Sequence, residues 1–173
     1  MFFIKKLRRD IQLNPKDMGS HLKEKVKNKV MDEIEGTCLG KYGYVVSILE
    51  IRDDDIQLGL IDNDTGAVNI TVWYSAILLR PFPNEVVDAI VTTATETGFF
   101  SRVGPLQVFV SRHAMHEDIT FNYAKGDCWC SEDQEVEITE GSIVRLRIMG
   151  VTVDAGAISA IGTIKDNFLG LYG

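Results

Sequence analysis

Aromatic and basic side chains are interleaved in the stretch TGFFSRVGPLQVFVSRHAM, residues 97–115. Strand alternation would place Phe100 and Arg102 on one side and Phe99 on the other. One phenylalanine of this pair therefore has to point away from the core, unless an adjoining domain buries both. Bases stack on an outward phenylalanine at about 1–3 kcal/mol per base, and nearby arginines attract phosphates. The stretch favours the binding of single-stranded nucleic acid.

Four residues of metal-binding type lie close together after this stretch: His113, His116, Cys128 and Cys130. Only Trp129 separates the two cysteines, whereas zinc ligands of one pair are usually about two to four residues apart. We therefore predict no metal site here and an ordinary pair of thiols.

The remaining motifs do not indicate catalysis. The string GTCLGKYG has the glycine spacing of a phosphate loop but lacks the Gly-Lys-Ser/Thr ending, so we predict a turn. Residues 117–140 hold eight Asp or Glu, opposed only by Lys125. We interpret them as a solvated loop and not as a magnesium site. Because no catalytic triad order or recognisable carboxylate pair is present, we predict neither an enzyme nor a cofactor.

Charge is distributed unevenly along the chain. The net charge is −7, yet residues 1–30 carry nine Lys or Arg against three acids, so the remainder sums to −13. A chain with this balance is not attracted to polyanions as a whole, and any contact with nucleic acid has to be local.

The length of 173 residues allows one ordinary core or two small ones. Three cysteines do not form a disulfide framework, which favours a reducing compartment. No apolar run approaches the roughly 20 residues of a membrane helix, and the opening MFFIKKLRRD meets charge after four residues. We expect a cytosolic or nuclear protein without membrane contact.

The first eighty residues predict one helix and an antiparallel sheet. A strand ends at Asn14-Pro15, and a helix follows with Ser20 as its cap and Gly36 as its stop. The apolar stripe of that helix recurs every four residues, at Met18, Leu22, Val26, Val30 and Ile34. Two strands, YGYVVSILEI and VNITVWYSAILLR, are expected next, separated by RDDDIQLGLIDNDTGA with its turn residues.

The strand VNITVWYSAILLR has almost no polar face. A strand with one solvated face should alternate, so both faces of this one must be covered. Either a partner chain covers the second face, or the strand is simply central to its own fold. We infer a partner chain.

The prolines of RPFPNE, residues 80–85, mark a domain boundary, giving domains 1–80 and 81–173. Short strands are expected behind it at 85–95, 98–103, 107–112, 143–152 and 157–164. Turns at Gly98, Gly104-Pro105 and Asp154-Ala155-Gly156 separate them. Five such strands predict an OB-type barrel, in which the second and third strands bind oligonucleotides.

Four strings, in order and over the whole length, carry a family resemblance: EIEGTCLGKYGYVV, RPFPNEVVDAIVT, GFFSRVGPLQVFVSRHAM and AIGTIKDNFLGLYG. The chain resembles the polymerase stalk subunits, the family of the seventh-largest subunit of eukaryotic RNA polymerase II and of its archaeal counterpart. The resemblance implies an α+β tip domain, truncated RNP-like with one main helix on an antiparallel sheet. An all-β OB-fold barrel like the repeats of ribosomal protein S-one follows it.

The same resemblance implies a nuclear, non-catalytic subunit that pairs with the fourth polymerase subunit. The tip would dock on the polymerase core near its clamp, the barrel would meet the emerging single-stranded transcript, and the subunit would contribute to initiation. By this resemblance, Ser111 occupies a position where barrels of this type usually have a histidine, and Asp154 matches a position where they usually have an acidic residue. We expect weak, sequence-tolerant contact with RNA.

Three sets of residues are predicted to carry these contacts. The RNA-binding set is Phe100, Arg102, Ser111, Arg112, His113, Asp154 and Lys165. The core-docking set is Asn14, Pro15, Gly19, Gly59, Asp62, Asn63, Asp64, Thr65 and Gly66, on a long protruding connection between Gly59 and Val68 and a neighbouring turn. The set contacting the partner subunit is Trp73, Tyr74, Ile77, Leu79, Phe168 and Leu169.

Two alternatives stay open at this point. One is a stalk subunit of polymerase I or III, although EGTCLGKYG and GPLQVFVSRH favour polymerase II. The other is a free-standing RNA-binding translation or decay factor built on the same barrel, which would not need the first eighty residues in this form.

Overall fold

The computed structural model describes residues 1–123, 126–133, 135–154 and 156–172. The chain divides into two compact units, Phe2–Arg80 and Pro81–Gly173, with Met1 counted in the second. Among the described residues no helix is long and apolar enough to cross a membrane.

The unit Phe2–Arg80 is a four-stranded antiparallel sheet with one α-helix. Its elements are β1 (Phe2–Leu13), α1 (Leu22–Ile34), β2 (Tyr44–Glu50), β3 (Ile56–Ile61) and β4 (Val68–Leu79). Strand β4 is central: β1 pairs with its whole length on one side, and β2 and β3 share the other side. Buried residues of α1 at four-residue spacing, Val26, Val30 and Ile34, pack against one face of this sheet. The predicted α+β unit with one main helix is confirmed.

Two details of this unit differ from the sequence-based prediction. The helix begins at Leu22, so Met18 lies outside it. The N-cap residue is His21 and not Ser20, and neither side chain caps the helix. Its end is as predicted, because Gly36 has φ +77°, a left-handed conformation that favours glycine after a helix. The segment predicted to consist of turns contains β3, whose Ile56, Leu58 and Leu60 alternate along the strand.

The unit Pro81–Gly173 contains a closed barrel. Its strands are β5 (Val86–Thr95), β6 (Gly98–Val103), β7 (Leu106–Ser111), β11 (Ile143–Asp154) and β12 (Ala157–Thr163). The order β12-β7-β6-β5-β11 closes because β11 also pairs with β12, while β12 runs parallel to β7. This is the strand arrangement of an OB-fold, so that prediction is confirmed. The predicted turn at Asp154-Ala155-Gly156 falls partly on Ala155, outside the described residues.

A small second sheet is inserted between β7 and β11. It comprises β8 (Ile119–Asn122), β9 (Cys128–Ser131) and β10 (Glu137–Ile138), in the order β10-β9-β8. Trp129 of β9 is fully buried, donates its indole N–H to the carbonyl of Thr95 at 3.1 Å, and meets Phe121 edge to face. The prediction that the acidic segment 117–140 is a solvated loop is therefore wrong, because its apolar residues form a core.

The C-terminal tail is tied to the barrel. Strand β13 (Gly170–Leu171) pairs with β11, and the guanidinium of Arg145 lies 4.3 Å from the ring centre of Tyr172. Arg145 also forms a two-pronged ion pair with Asp88 of β5, at 2.7 and 3.0 Å. This ion pair lowers the pKa of Asp88 and raises that of Arg145.

Candidate nucleic-acid and protein interfaces

An aromatic pair lies on the outer face of the barrel. Phe100 of β6 is the register partner of Phe109 of β7, and the two ring centres are 4.8 Å apart. Both rings are half-buried, whereas Phe99 points inward and is fully buried. The sequence-based assignment of Phe100 to the outside and Phe99 to the core thus agrees with the structure. An aromatic pair that is only half-buried on the outer face of the barrel can offer its accessible ring surface to bases.

Glycine at position 98 allows this pair to form. Gly98 has φ +153°, and a side chain there would meet Phe109 Cζ at 3.0 Å and the backbone of Ser111 at 2.9 Å. Because Gly98 has no Cβ, the ring of Phe109 can lie over the start of β6. The glycine is therefore required first by the close approach of the β7 backbone at Val110 and Ser111, and it also leaves room for the ring of Phe109.

Aliphatic side chains extend the aromatic pair across the barrel. Ile161 of β12 is the register partner of Phe109 on one side and of Gly150 of β11 on the other. Met149 lies at the register shift directly before Gly150. Ile161 and Met149 are both exposed. We call Phe100, Phe109, Ile161 and Met149 the apolar row. It offers a flat surface of about four strands' width.

Cations border the apolar row. Arg102 is exposed two residues along β6 from Phe100 and faces Gln107 of β7. At the other end of β7, Arg112 and His113 are exposed on a single turn of 3-10 helix. Phosphates held at either end would leave their bases over the aromatic rings.

Two grooves follow this cationic end. One, of about 320 Å³, is lined by Arg112, His113, Met115, His116, Glu117, Ile119 and Lys165. The other, of about 370 Å³, is lined by Ser111, His113, Ala114, Arg147, Met149, Ile161, Thr163, Lys165 and Asp166. The second groove is thus continuous with the apolar row. Here Lys165 lies 4.0 Å from Glu117, both side chains being well exposed.

The structure spreads the seven predicted RNA-binding residues along the barrel: Ser111, Arg112, His113 and Lys165 lie at one end, Phe100 lies between, and Arg102 and Asp154 lie towards the other end. Asp154 is the register partner of Ala157, at the start of β12. Because β12 is parallel to β7, with Gly162 beside Val110, this start lies at the opposite end of the barrel from Ser111. Asp154 therefore belongs with the turn between β6 and β7 and not with His113.

Sequence reasoning missed Phe109, Ile161 and Met149. Phe109 could have been found, because Leu106, Val108 and Val110 alternate with it and all three are buried. Ile161 and Met149 needed the register: Ile161 lies next to Phe109 only because β12 pairs in parallel with β7, and Met149 depends on the shift in β11. Neither pairing can be read from local alternation.

The four residues considered for zinc do not form one cluster. Among the described residues, one group can offer three ligand atoms within 4.8 Å of one another, namely Cys128, Cys130 and Glu137. His113 and His116 are not part of that group and lie instead along the cationic groove.

The predicted partner contacts on β4 differ in burial. Tyr74 and Leu79 are each 2% exposed, and Tyr74 belongs to the unit's own core. Their assignment as partner contacts is therefore wrong, since buried side chains have no surface to offer. Burial also raises the pKa of the Tyr74 hydroxyl. Trp73 and Ile77 alternate with the core residues and are half-buried on the face opposite α1.

The face opposite α1 exposes more apolar surface on the neighbouring strands. Phe2 and Ile4 of β1 are 64% and 66% exposed, and Ile4 is the register partner of Ile77. On the other side of β4, the exposed Val46 and Leu49 lie at the two register shifts of β2. We call Phe2, Ile4, Val46, Leu49, Trp73 and Ile77 the outer tip face. In the tail, Phe168 is 95% exposed with φ +67°, and Leu169 is half-buried.

The predicted docking residues lie on a short turn. Gly59 is within β3, so the connection from β3 to β4 is the tight loop 62–67 and not a long protrusion. Asp62 closes this loop: its amide donates to the Ala67 carbonyl, and its carboxylate accepts the Asp64 amide at 3.0 Å. The hydrogen bonds from Asp64 and then Thr65 lower the pKa of Asp62.

The two predicted docking segments meet at Gly66. Gly66 has φ +68°, as expected, and a Cβ there would lie 3.1 Å from Pro15 Cγ. Asn14, Pro15 and Gly19 are exposed, as are Asn63, Asp64 and Thr65 of the loop. Exposed Leu58, Leu60 and Ile61 of β3 continue this surface, with Leu60 87% exposed. Their alternation in IQLGLI was the signal that sequence reasoning overlooked.

Comparison with known proteins finds two domain families along the chain. Residues 8–66 match the SHS2 domain found in the N terminus of Rpb7p/Rpc25p/MJ0397, and residues 80–161 match the S1 RNA binding domain. The two matches fall on the sheet with α1 and on the barrel.

Full-length relatives are similar over nearly all of both chains. DNA-directed RNA polymerase II subunit 7 of Arabidopsis thaliana is 43% identical over 99% of this chain and 96% of its own length. Subunit rpb7 of Schizosaccharomyces pombe is 43% identical over 98% of both chains. Subunit RPB7 of Saccharomyces cerevisiae is 39% identical over 98% of this chain and 99% of its own.

Proposed function

The chain belongs to the family of RNA polymerase II subunit 7, and we propose from this premise that it is a non-catalytic subunit of nuclear RNA polymerase II. In this role it pairs with the fourth subunit to form the stalk, docks on the polymerase core near the clamp, and contributes to initiation. Its barrel binds the emerging single-stranded RNA. The relatives named above support polymerase II over polymerases I and III.

The observation that carries the RNA-binding part is the apolar row with cations at both ends. Phe100 and Phe109 are the only aromatic pair described on the outer face of the five barrel strands, and both residues are half-buried. Stacking is tolerant of sequence because every base has a π-face. The exposed Arg102, Arg112 and Lys165 supply the charge that an acidic chain otherwise lacks.

The outer tip face supports pairing with the fourth subunit. Six large apolar residues on one sheet face are more than isolated exposed hydrophobics, and such a contiguous patch is typical of a protein interface. Trp73 and Ile77 on this face of β4 are half-buried, and a partner chain that covered them would account for the missing polar face of the strand. The docking loop 62–66, with the exposed β3 residues beside it, is a separate surface that supports contact with the polymerase core.

A binding assay with the heterodimer tests the RNA-binding part. Phe100→Ala and Phe109→Ala should each weaken binding to any single strand by about 1–3 kcal/mol, because one stacking partner is lost. Val86→Ala is the matched control, since Val86 is exposed at the start of β5, where it pairs with β11 and not with β6. Arg102→Gln should instead make the plot of log binding constant against log salt concentration less steep by about 0.7, because one phosphate contact is lost.

Gel-shift titrations over a range of salt concentrations measure both quantities. Equal affinities for wild type, Phe100→Ala and Phe109→Ala would refute the proposed RNA surface. A loss shared by Val86→Ala would show that the effect is general destabilisation of the barrel.

A further inference from the structure

Two cysteine thiols meet on one face of the inserted sheet. Cys128 and Cys130 are alternate residues of β9, so their side chains point the same way while Trp129 points to the opposite face. Their Sγ atoms are 3.3 Å apart, and the residues are 0% and 5% exposed. The thiol of Cys128 also lies 3.8 Å from the carbonyl oxygen of Asn122.

A carboxylate joins the two thiols from the neighbouring strand. Glu137 of β10 is the register partner of Cys130, and directly opposed residues share a face of the sheet. One of its carboxylate oxygens and the two Sγ atoms all lie within 4.8 Å of one another. Glu137 is itself exposed, so this side of the cluster is open to solvent.

We propose that Cys128, Cys130 and Glu137 bind one zinc ion, with a water molecule as the fourth ligand. Thiolate sulfur and carboxylate oxygen are both ligands of zinc, and two thiolates favour zinc over magnesium or calcium. A tetrahedral zinc with Zn–S bonds of about 2.3 Å needs sulfurs roughly 3.7 Å apart. The two Sγ atoms are 3.3 Å apart, so they would have to separate by a few tenths of an ångström to bind zinc.

The spacing rule that argued against a metal applies to a different geometry. Zinc ligand pairs with about two to four residues between them bind the metal from a turn. These two cysteines lie on a strand instead, where alternate side chains already share a face. Zinc would displace the two thiol protons, so that affinity rises with pH. The local excess of acids over residues 117–140 favours an incoming cation.

Cadmium titration of the full-length reduced chain tests the site, with a reductant that carries no thiol. We expect a thiolate-to-cadmium charge-transfer band that saturates at one ion per chain. Zinc should compete for the same site and release about two protons per ion near neutral pH. Zinc should also raise the midpoint of thermal unfolding, because it binds the folded chain.

Three variants assign the ligands. Cys128→Ser and Cys130→Ser should each reduce the band and weaken zinc binding at least about tenfold, and Glu137→Gln should weaken binding while leaving the band. Cys38→Ser is the matched control, because Cys38 is a half-buried free cysteine of the other unit, where its backbone forms a β-bridge with Tyr44. It should bind zinc as the wild type does.

Near-UV circular dichroism of Trp129 checks that each variant is folded. If Cys128→Ser does not fold, the wild-type stoichiometry and proton release still decide the proposal. Absence of the charge-transfer band in the wild type, or an unchanged band in folded Cys128→Ser and Cys130→Ser, would overturn it. Unchanged zinc affinity in Glu137→Gln would overturn the assignment of the carboxylate.

Discussion

The two units use β-sheet surface in opposite ways. The sheet of Phe2–Arg80 is open: α1 covers one face, and the outer tip face leaves four large apolar side chains exposed and two half-buried. The sheet of Pro81–Gly173 closes on itself, so its core is filled by its own inward residues, among them Phe99, Leu106 and Leu146. Closure removes free edges, and the outer face carries the apolar row together with other exposed apolar side chains such as Val86 and Ile90.

This difference fits the two kinds of partner in the proposed function, a protein chain and a single strand of RNA. An open sheet face with a half-buried Trp73 and exposed neighbours is wide enough for another protein chain. The apolar row of the barrel is only one residue deep along each strand, which suits bases that arrive one at a time. The comparison predicts that mutations in one unit leave the other unit's task intact.

The largest effect is expected for Trp129→Ala, which we compare with Trp73→Ala in the other unit. Trp129→Ala removes a fully buried ring and its hydrogen bond to Thr95, which should cost about 3–5 kcal/mol in the stability of the barrel unit. Trp73→Ala removes a half-buried ring from the open sheet and should cost less. Hydrogen exchange resolved by residue should show lost protection in β5 and β9 for the first variant, with β1 and β4 unaffected. Equal loss in both units would mean that they unfold together.

A charge on the outer tip face should come next in size. Ile4→Asp places a carboxylate where a partner would bury it, so pairing with the fourth subunit should weaken by about 2 kcal/mol or more, roughly thirtyfold. The isolated chain should keep its stability, because Ile4 is exposed in the unpaired chain. Ile90→Asp, at an exposed isoleucine of the barrel, is the control and should pair normally. Co-purification of the two subunits and a titration of the complex measure the difference. Normal pairing of Ile4→Asp would place the partner on another surface.

The sequence predicted those parts of the fold that depend on local patterns. The helix stripe, the stop at Gly36, the barrel strands and the outward position of Phe100 all follow from periodicity and turn residues. It failed where a side chain's surroundings depend on pairing. Tyr74 and Trp73 are neighbours in one apolar strand, and only the position of α1 makes the first a core residue and the second a surface residue.

The same reason explains the errors in the candidate sites. The acidic segment 117–140 resembles a loop by composition, yet Trp129, Phe121 and Ile138 form a small core of their own. Asp154 and Ser111 were predicted to share one RNA-binding set, but the parallel pairing of β12 with β7 puts them at opposite ends of the barrel. Long-range register carries this information, and a single sequence does not.

Docking on the polymerase core should respond to a smaller change in the loop 62–66. Gly66→Val forces a β-branched residue into φ +68° and towards Pro15, which should distort both docking segments at a cost of about 1–2 kcal/mol. The heterodimer and its RNA binding should persist, while retention on immobilised core polymerase falls. Gly40→Val is the control, because Gly40 has φ +53° but no atom near its missing Cβ. Retention of the Gly66 variant equal to that of wild type at matched salt would place the docking surface elsewhere.

The smallest expected effect is a difference in acid sensitivity. The unit Phe2–Arg80 holds most of the described carboxyl groups whose pKa is lowered in the folded chain. In it hydrogen bonds from Thr71 and Arg8 lower the pKa of Asp10, and those from Lys27 and Lys6 lower the pKa of Asp53 and Asp55. In the barrel unit, only Asp88 is shifted in this way among the described carboxyl groups, by Arg145.

A carboxyl group with a lowered folded-state pKa stabilises the fold above its unfolded pKa, near about 4, and this contribution is lost as the pH falls through the folded value. Acidification below about pH 4 should therefore weaken the open sheet before the barrel. Hydrogen exchange of β1 and β4 compared with β6 and β7 along an acid series measures this order. Since the ion pairs are exposed, added salt should reduce the difference in acid sensitivity between the two units. If the barrel opened first, its own packing and not the charges of the open sheet would set the acid limit of the chain.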